Sequence, residues 1–221
     1  MDRKTKIFCL VSGADRVNTY VVACLKTGRA VIIDPAGDLQ QVLRTLESER
    51  LEPVMILNTH GHGDHVAGNR DLKEMLAIPT AMHRADDEFF KDPQLRREFE
   101  RILGHRCPDP VDRPLEDREK ISLGGTEIEV IHTPGHTPGS VCFLCAGNLF
   151  TGDTLFVGAV GRTDLPGGSL EQLLTSLENR LITLPAETIV WPGHDYGDTP
   201  TSTIGREMQE NPYITDFLLA E

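Results

Sequence analysis

Apolar positions along the chain follow two rhythms. Ile7–Val11, Thr19–Leu25 and Ala30–Ile33 are short runs rich in Val and Ile, separated by turn residues, and they predict β-strands. Leu39–Arg50 changes to helical spacing, with Leu39, Val42, Leu43 and Leu46 along one face. Val54–Leu57 is wholly apolar, as expected of a buried strand. Val66–Leu76 predicts a helix, closed by Ile78-Pro79 because proline disfavours α geometry in the residue before it. Ala81–Phe90 predicts a short helix at most.

The rhythm breaks over residues 91–118, which hold Pro93, Pro108, Pro110, Pro114 and many charges. Gln94–Leu103 has helical character within them. Too few apolar residues are present for a separate core, so the stretch at about 86–120 reads as an insertion over one face. Its position suggests that it shapes the mouth of a pocket. The strand rhythm then returns in Thr126–Ile131, Ser140–Leu144, Asn148–Phe150 and Ile189–Trp191. Ser169–Leu184 predicts an amphipathic helix carrying Leu170, Leu173, Leu174, Leu177 and Leu181, and Thr203–Gln209 a shorter one. Strands and helices alternate in two similar halves, so a single α/β domain over residues 1–221 is expected.

Composition narrows the function classes. The formal net charge is -12, and an acidic surface repels phosphate backbones, so a nucleic-acid substrate is disfavoured. No stretch approaches membrane-spanning length, and no signal-type apolar segment follows the charged Met1–Lys6, so a cytoplasmic protein is expected. The five cysteines are odd in number and suggest no disulfide framework. Cys142 and Cys145 form a C-x-x-C, but they lie inside an apolar run without a turn residue and read as core positions. Cys107, near His105, reads as part of a surface loop.

The chemistry concentrates where apolar runs end. Asn58-Thr59-His60-Gly61-His62-Gly63-Asp64-His65 packs three imidazoles and a carboxylate into six positions, a donor set suited to zinc, iron or manganese. Asp34, His136, Asp153 and His194 likewise lie one to a few residues beyond a predicted strand. Side chains at strand ends can converge on one edge of a sheet while the strands form the core beneath.

The segments THGHGDHVAGN, HTPGHTPGS, LFTGDTLF and WPGHDY, in this order, resemble the metallo-β-lactamase-fold hydrolases, in the glyoxalase II (hydroxyacylglutathione hydrolase)-like branch of short, single-domain bacterial type. That resemblance implies a four-layer αββα sandwich with two divalent metal ions, zinc first among the candidates. It implies that His60, His62 and His136 bind one ion, that Asp64, His65 and His194 bind the other, and that Asp153 bridges them with a shared hydroxide as nucleophile. Asp64 could assist proton transfer. Asp34 resembles an outer-shell carboxylate that braces the ligand loop, a turn residue before Pro35 being the alternative.

Substrate is less legible. Arg162 and Tyr196 fall where glyoxalase II contacts glutathione, but Arg162 can instead pair with Asp164, and Tyr196 can serve packing. Position 164 is Asp where a second substrate-binding Tyr is usual, and the helical domain that completes the glutathione site is expected to be absent. The expected partner is a small-molecule thioester, with the oligomeric state open. The rival reading is a mono-iron persulfide dioxygenase, which shares Gly161-Arg162-Thr163-Asp164 and His194-Asp195-Tyr196. A β-lactamase is disfavoured because the zinc-binding Cys of many such enzymes has no counterpart at Asp153. A non-catalytic metal-binding module remains a third reading, weakened by the number of ligands.

Overall fold

The structure, a computed structural model, describes residues 4–12 and 15–219. The start of the charged N-terminal stretch, Met1–Arg3, lies outside the described residues. Strands β1 (Thr5–Ser12), β2 (Val17–Cys24) and β3 (Arg29–Ile33) pair antiparallel in sequence order. Strands β4 (Glu52–Leu57), β5 (Thr80–His83) and β6 (Arg113–Leu115) then add in parallel, completing a six-stranded sheet. Helix α1 (Leu39–Ser48) crosses between β3 and β4, and α2 (Gly63–Val66) and α3 (Asn69–Leu76) between β4 and β5. Helices α4 (Arg84–Phe89) and α5 (Pro93–Leu103) lie between β5 and β6.

The second sheet repeats the device. Strands β7 (Lys120–Leu123), β8 (Thr126–His132), β9 (Val141–Cys145) and β10 (Asn148–Gly152) pair antiparallel. A small hairpin, β11 (Leu155–Phe156) and β12 (Ala159–Val160), precedes α6 (Leu170–Ser176). Strand β13 (Ile189–Pro192) joins β10 in parallel, and β14 (Ser202–Thr203) closes the edge, followed by α7 (Ile204–Glu210) and α8 (Pro212–Thr215). No helix among the described residues is long and apolar enough to cross a membrane.

The period of two along each strand sorts side chains into layers. Tyr20, Val22, Val31, Ile33 and Leu57 of the first sheet meet Ile128, Val130, Val141, Phe143 and Phe150 of the second. Their neighbours Val21, Ala23, Ile32 and Ile56 face the other way and pack on Val42 and Leu46 of α1 and Leu72 of α3. On the far side, Cys142, Leu149 and Val190 pack on Leu177, Leu181, Ile204 and Ile214. Helix, sheet, sheet, helix is the expected αββα sandwich. Full burial of each Val, Ile or Leu stabilises it by about 1.5–3 kcal/mol. The same alternation answers the C-x-x-C question. A spacing of three on a strand sends Cys142 to the helix-facing layer and Cys145 to the inter-sheet core, so the two thiols lie on opposite faces.

Several elements differ from expectation. The expected helix Val66–Leu76 is two helices, broken at Ala67-Gly68. Gly68 donates to the Pro35 carbonyl at 2.8 Å and not to the preceding helical turn, which ends the first helix, and a Cβ there would lie 2.9 Å from both the Pro35 and Ala36 carbonyls, so the position takes glycine. The Ser169–Leu184 helix is α only to Ser176 and then takes a π turn over Leu177–Leu181, keeping Leu173, Leu177 and Leu181 fully buried. Residues 86–120 do not all lie over one face. Arg113–Leu115 is an edge strand, where the missing N–H of Pro114 is tolerated, and Phe90, Phe99 and Cys107 form a small buried cluster with Leu165. Cys107 is therefore 3% exposed, not part of a surface loop.

Ile32 is fully buried between β3 and its covering helices. Ile32→Ala is expected to lower stability by about 2–5 kcal/mol. In urea unfolding the midpoint should fall with little change in slope. A loss under about 1 kcal/mol would mean that this face is not close-packed.

Candidate metal centre

Parallel strand pairs bring the chemistry to one edge. Strands β3 and β4 run parallel, so Asp34 and the His60–His65 loop leave the first sheet side by side. Strands β8 and β10 are each antiparallel to β9, and β13 is parallel to β10, so His136, Asp153 and His194 leave the second sheet at a common edge. The two edges are stitched by backbone hydrogen bonds, Asn18 N to Gly193 O and Val141 N to Thr59 O, each 2.8 Å. His62 lies at the N-cap of α2 in extended geometry, so the single helical turn that follows carries Asp64 and His65.

His60, His62 and His136 offer three nitrogens within 4.8 Å of one another, and Asp64, His65 and His194 form a second such group. His136 Nε2 lies 2.9 Å from His62 Nδ1, and His65 Nε2 lies 3.2 Å from His194 Nε2. Asp153 stands between the groups. Its Oδ1 is 3.3 Å from His65 Nε2, and its Oδ2 is 3.5 Å from His136 Nε2 and 3.4 Å from His194 Nε2. Asp64 Oδ2 lies 3.6 Å from both His65 and His194 Nε2. All seven residues expected as ligands are thus gathered in one place.

The other ring nitrogens are held from outside. His136 Nδ1 contacts the Arg162 carbonyl at 2.7 Å, and His194 Nδ1 the Asp15 carbonyl at 2.6 Å. His65 Nδ1 meets Asp34 Oδ2 at 3.0 Å, and His60 Nδ1 meets Thr59 Oγ1 at 3.1 Å. A carbonyl or carboxylate can only accept, so Nδ1 carries the proton in His65, His136 and His194. In His60 the Thr59 hydroxyl donates to Asp34 Oδ2 at 2.6 Å and so is left to accept. In the neutral form each of these four rings then turns a lone pair on Nε2 toward the cluster. His60 Nε2, His62 Nε2 and Asp153 Oδ1 are buried without a hydrogen-bond partner, although Asp153 Oδ1 is near His65. Unpartnered buried acceptors are costly, and a shared cation is what such a donor set accommodates. The residues fit a metal centre.

Asp34 combines its two expected readings. It sits in the left-handed region with φ of 48°, and its carboxylate accepts from Thr59 N at 2.8 Å and Thr59 Oγ1 at 2.6 Å while holding His65. Burial, reinforced by the neighbouring imidazoles, pushes His60 and His62 well below the usual imidazole range. Burial also opposes charge on His65 and His194, but Asp153 outweighs it and holds both above that range, with Asp64 adding to the effect on His65. Asp153 is likewise pushed up by burial and pulled further down by His65 and His194, so its carboxyl stays well below the carboxylate range.

A cleft of about 240 Å³ opens onto these groups. Leu103 and His105 from the 86–120 stretch line its mouth, together with Phe156, Arg162, Leu165 and Tyr196. The Arg162 guanidinium makes two 2.7 Å hydrogen bonds to Asp164, so the ion pair forms, while the residue still borders the cleft. Tyr196 is 60% exposed at the cleft, stacks on His194 at 4.6 Å and donates to the Asp15 carbonyl. A larger cleft of about 340 Å³ beside α3 contains no imidazole, and its Arg70, Lys73 and Arg106 are paired with acids. Asp15 escaped the sequence reading, because it acts through its carbonyl and no side-chain pattern marks that. His105 escaped for a different reason: only the close approach of residues 105 and 106 to Gly63 brings it to the mouth.

Residues 12–194 match the Metallo-beta-lactamase superfamily. The chain belongs to this superfamily. It is 34% identical to the hydroxyacylglutathione hydrolase GloC of Haemophilus influenzae, over 84% of this chain and 87% of that protein. It is 32% identical to the probable metallo-hydrolase YqgX of Bacillus subtilis, over 94% and 96%. Among solved structures, the BLEG-1 B3 metallo-beta-lactamase superposes with a TM-score of 0.85 and 36% identity, over 95% of this chain and all of that one. TTHA1623 in a di-iron-bound form gives 0.78 and 36%, over 93% and 99%, and ETHE1 from Myxococcus xanthus gives 0.79 and 29%, over 96% and 85%. Family and donor cluster together indicate divalent metal ions.

Metal uptake must displace the protons that Asp153 favours on His65 and His194. Zinc binding by the metal-free protein should therefore release protons, and affinity should fall as pH drops from about 8 to about 6. Calorimetric titrations in buffers of different ionisation enthalpy measure both, and a pH-independent affinity would contradict the assignment.

Proposed function

We propose that this chain is a binuclear metal-dependent hydrolase acting on thioesters of the glutathione type. The observation that carries this reading is the pair of three-donor groups with one carboxylate, Asp153, within reach of both. His60, His62 and His136 would hold one ion, Asp64, His65 and His194 the other, and Asp153 would bridge. Imidazole with carboxylate suits zinc first, and iron or manganese as well. Two divalent ions bound there would supply an acidified water and Lewis-acid polarisation of an acyl carbonyl.

The chain's own residues supply the rest. The Asp15, Asp34, Thr59 and Arg162 contacts fix four imidazoles before substrate arrives, so little reorganisation remains for the reaction. Asp64 lies beside the cleft with its side chain 17% exposed, placed to accept and return a proton. Leu103, Phe156 and Leu165 give the acyl group an apolar wall, and Arg162 and Tyr196 offer polar contacts to the thiol portion. A thiolate leaves without acid assistance because its conjugate thiol has a pKa of about 8.5. The similarity to a protein named hydroxyacylglutathione hydrolase supports this substrate class.

A second reading, a mono-iron persulfide dioxygenase, draws on Gly161-Arg162-Thr163-Asp164 and on the formed Arg162–Asp164 pair. It leaves the complete group of Asp64, His65 and His194 without a role. Protein purified without chelator should carry close to two ions per chain by mass spectrometry and hydrolyse a glutathione thioester. One iron per chain with oxygen consumption on a persulfide would establish the second reading. Turnover of a β-lactam alone would align the chain with its BLEG-1 neighbour, and no turnover at full occupancy would leave a binding module.

Asp153→Ala should lose ions from both groups, and retention of two would remove its bridging role. His62→Ala should abolish turnover. Arg162→Ala should raise KM several-fold at unchanged metal content, whereas loss of folding would restrict Arg162 to its structural pair.

A further inference from the structure

The carboxylate of Asp86 is fully buried and plays no part in the site described so far. It projects from α4, one residue into the segment expected to be an insertion. Its Oδ2 accepts from the Gly61 amide and from the Thr137 hydroxyl, each at 2.8 Å, and its Oδ1 accepts from the Gly139 amide at 2.6 Å. The adjacent Asp87 takes the nearby cation, pairing with Lys91 at 2.6 Å. Burial pushes Asp86 up to about 6, the three hydrogen bonds working against that rise. Keeping an enclosed carboxylate without a cation is unfavourable, and only a group with two acceptor oxygens serves all three donors.

What those loops carry gives the expense a purpose. Gly61 lies between His60 and His62, and Thr137 and Gly139 follow His136 directly. Both loops of the three-histidine group are thus tied to one side chain on a third element. The seating is close: a Cβ on Gly139 would collide with the Asp86 backbone nitrogen, and one on Gly61 with the Phe90 ring of the same region. Asp34, another buried carboxylate, bonds to His65 directly and reaches the three-histidine group only through Thr59.

We propose that Asp86 is a positioning residue that sets the spacing of His60 and His62 against His136, and thereby the affinity of that metal site independently of its neighbour. The proposal rests on the binuclear reading in taking these three histidines as ligands. Asn cannot replace Asp86. With its oxygen toward Gly61 and Thr137, its NH2 faces the Gly139 amide; turned over, its NH2 faces the Gly61 amide. One loop loses its acceptor either way.

The test separates the sites. Zinc affinity is measured by competition with a chromogenic chelator in two backgrounds, His194→Ala, which leaves the three-histidine group, and His62→Ala, which leaves Asp64, His65 and His194. Adding Asp86→Asn should weaken zinc binding about 10–100-fold in the first background and leave the second unchanged. Thr137→Val, which deletes one of the three donors, should give a smaller loss with the same selectivity, and it decides the matter if Asp86→Asn does not fold. Unchanged affinity in the first background, or equal losses in both, would overturn the proposal. If the His194→Ala protein itself takes up no zinc, the three-histidine group is not a metal site. The functional reading then fails, and Asp86 has nothing to position. That result is read before any Asp86 variant is compared.

Discussion

A carboxylate buried among imidazoles is the constraint on which this structure turns. Asp153 is enclosed at the junction of the two sheets, with three ring nitrogens within 3.3–3.5 Å of its oxygens. Such a group is tolerated only where compensating positive charge is built into the surroundings. Everything at this edge is arranged accordingly. Gly193 has no space for a side chain, since a Cβ there would lie 2.8 Å from the Gly152 carbonyl carbon, on the strand that presents Asp153. The His65 and His194 rings face it, and their far nitrogens are anchored so that they cannot turn away.

The fold makes that concentration of polar groups affordable by separating tasks. Two sheets supply a continuous apolar interior, and the polar loops leave it at one edge where parallel strands end. Hydrogen bonds between Asn18 and Gly193 and between Val141 and Thr59 close the sandwich at that edge. The site therefore inherits the rigidity of the core beneath it. Asp34 and Asp86 extend the same rigidity outward, one gripping His65 and Thr59, the other the two loops of the three-histidine group.

Depth and mouth have different origins. The groups at depth come from strand ends and one helical turn. The mouth comes from the α5 end, the β11–β12 hairpin and the loops around Arg162 and Tyr196. Gly63 joins the two, because its missing side chain lets residues 105 and 106 close over the ligand loop. Proteins to which the chain is similar carry names as different as a hydroxyacylglutathione hydrolase and a B3 metallo-beta-lactamase.

The linear order of residues was enough to name the groups that the fold gathers. His60, His62, Asp64 and His65 are close in sequence, and His136, Asp153 and His194 each follow an apolar run, so position made all seven candidates, and the resemblance of their motifs to a known family singled them out as ligands. The αββα layers were legible through the resemblance of the motifs to a known family, since Val21, Val22, Val31 and Ile32 are all apolar and all buried and show no alternation that would assign each to a layer. Short strands such as Thr80–His83 and Arg113–Leu115 were not legible, because they hold too few residues to show a period and owe their conformation to parallel neighbours. The break at Gly68 required the Pro35 carbonyl, which only the folded chain brings near. Asp86 looked like one more charge in a charged stretch, and Asp15 contributes only a backbone oxygen. Their roles are contacts across 51 and 179 positions of chain, and a contact of that kind has no local signature. Local pattern determines which residues can be ligands, whereas long-range packing decides which nitrogen each one presents and what holds it there.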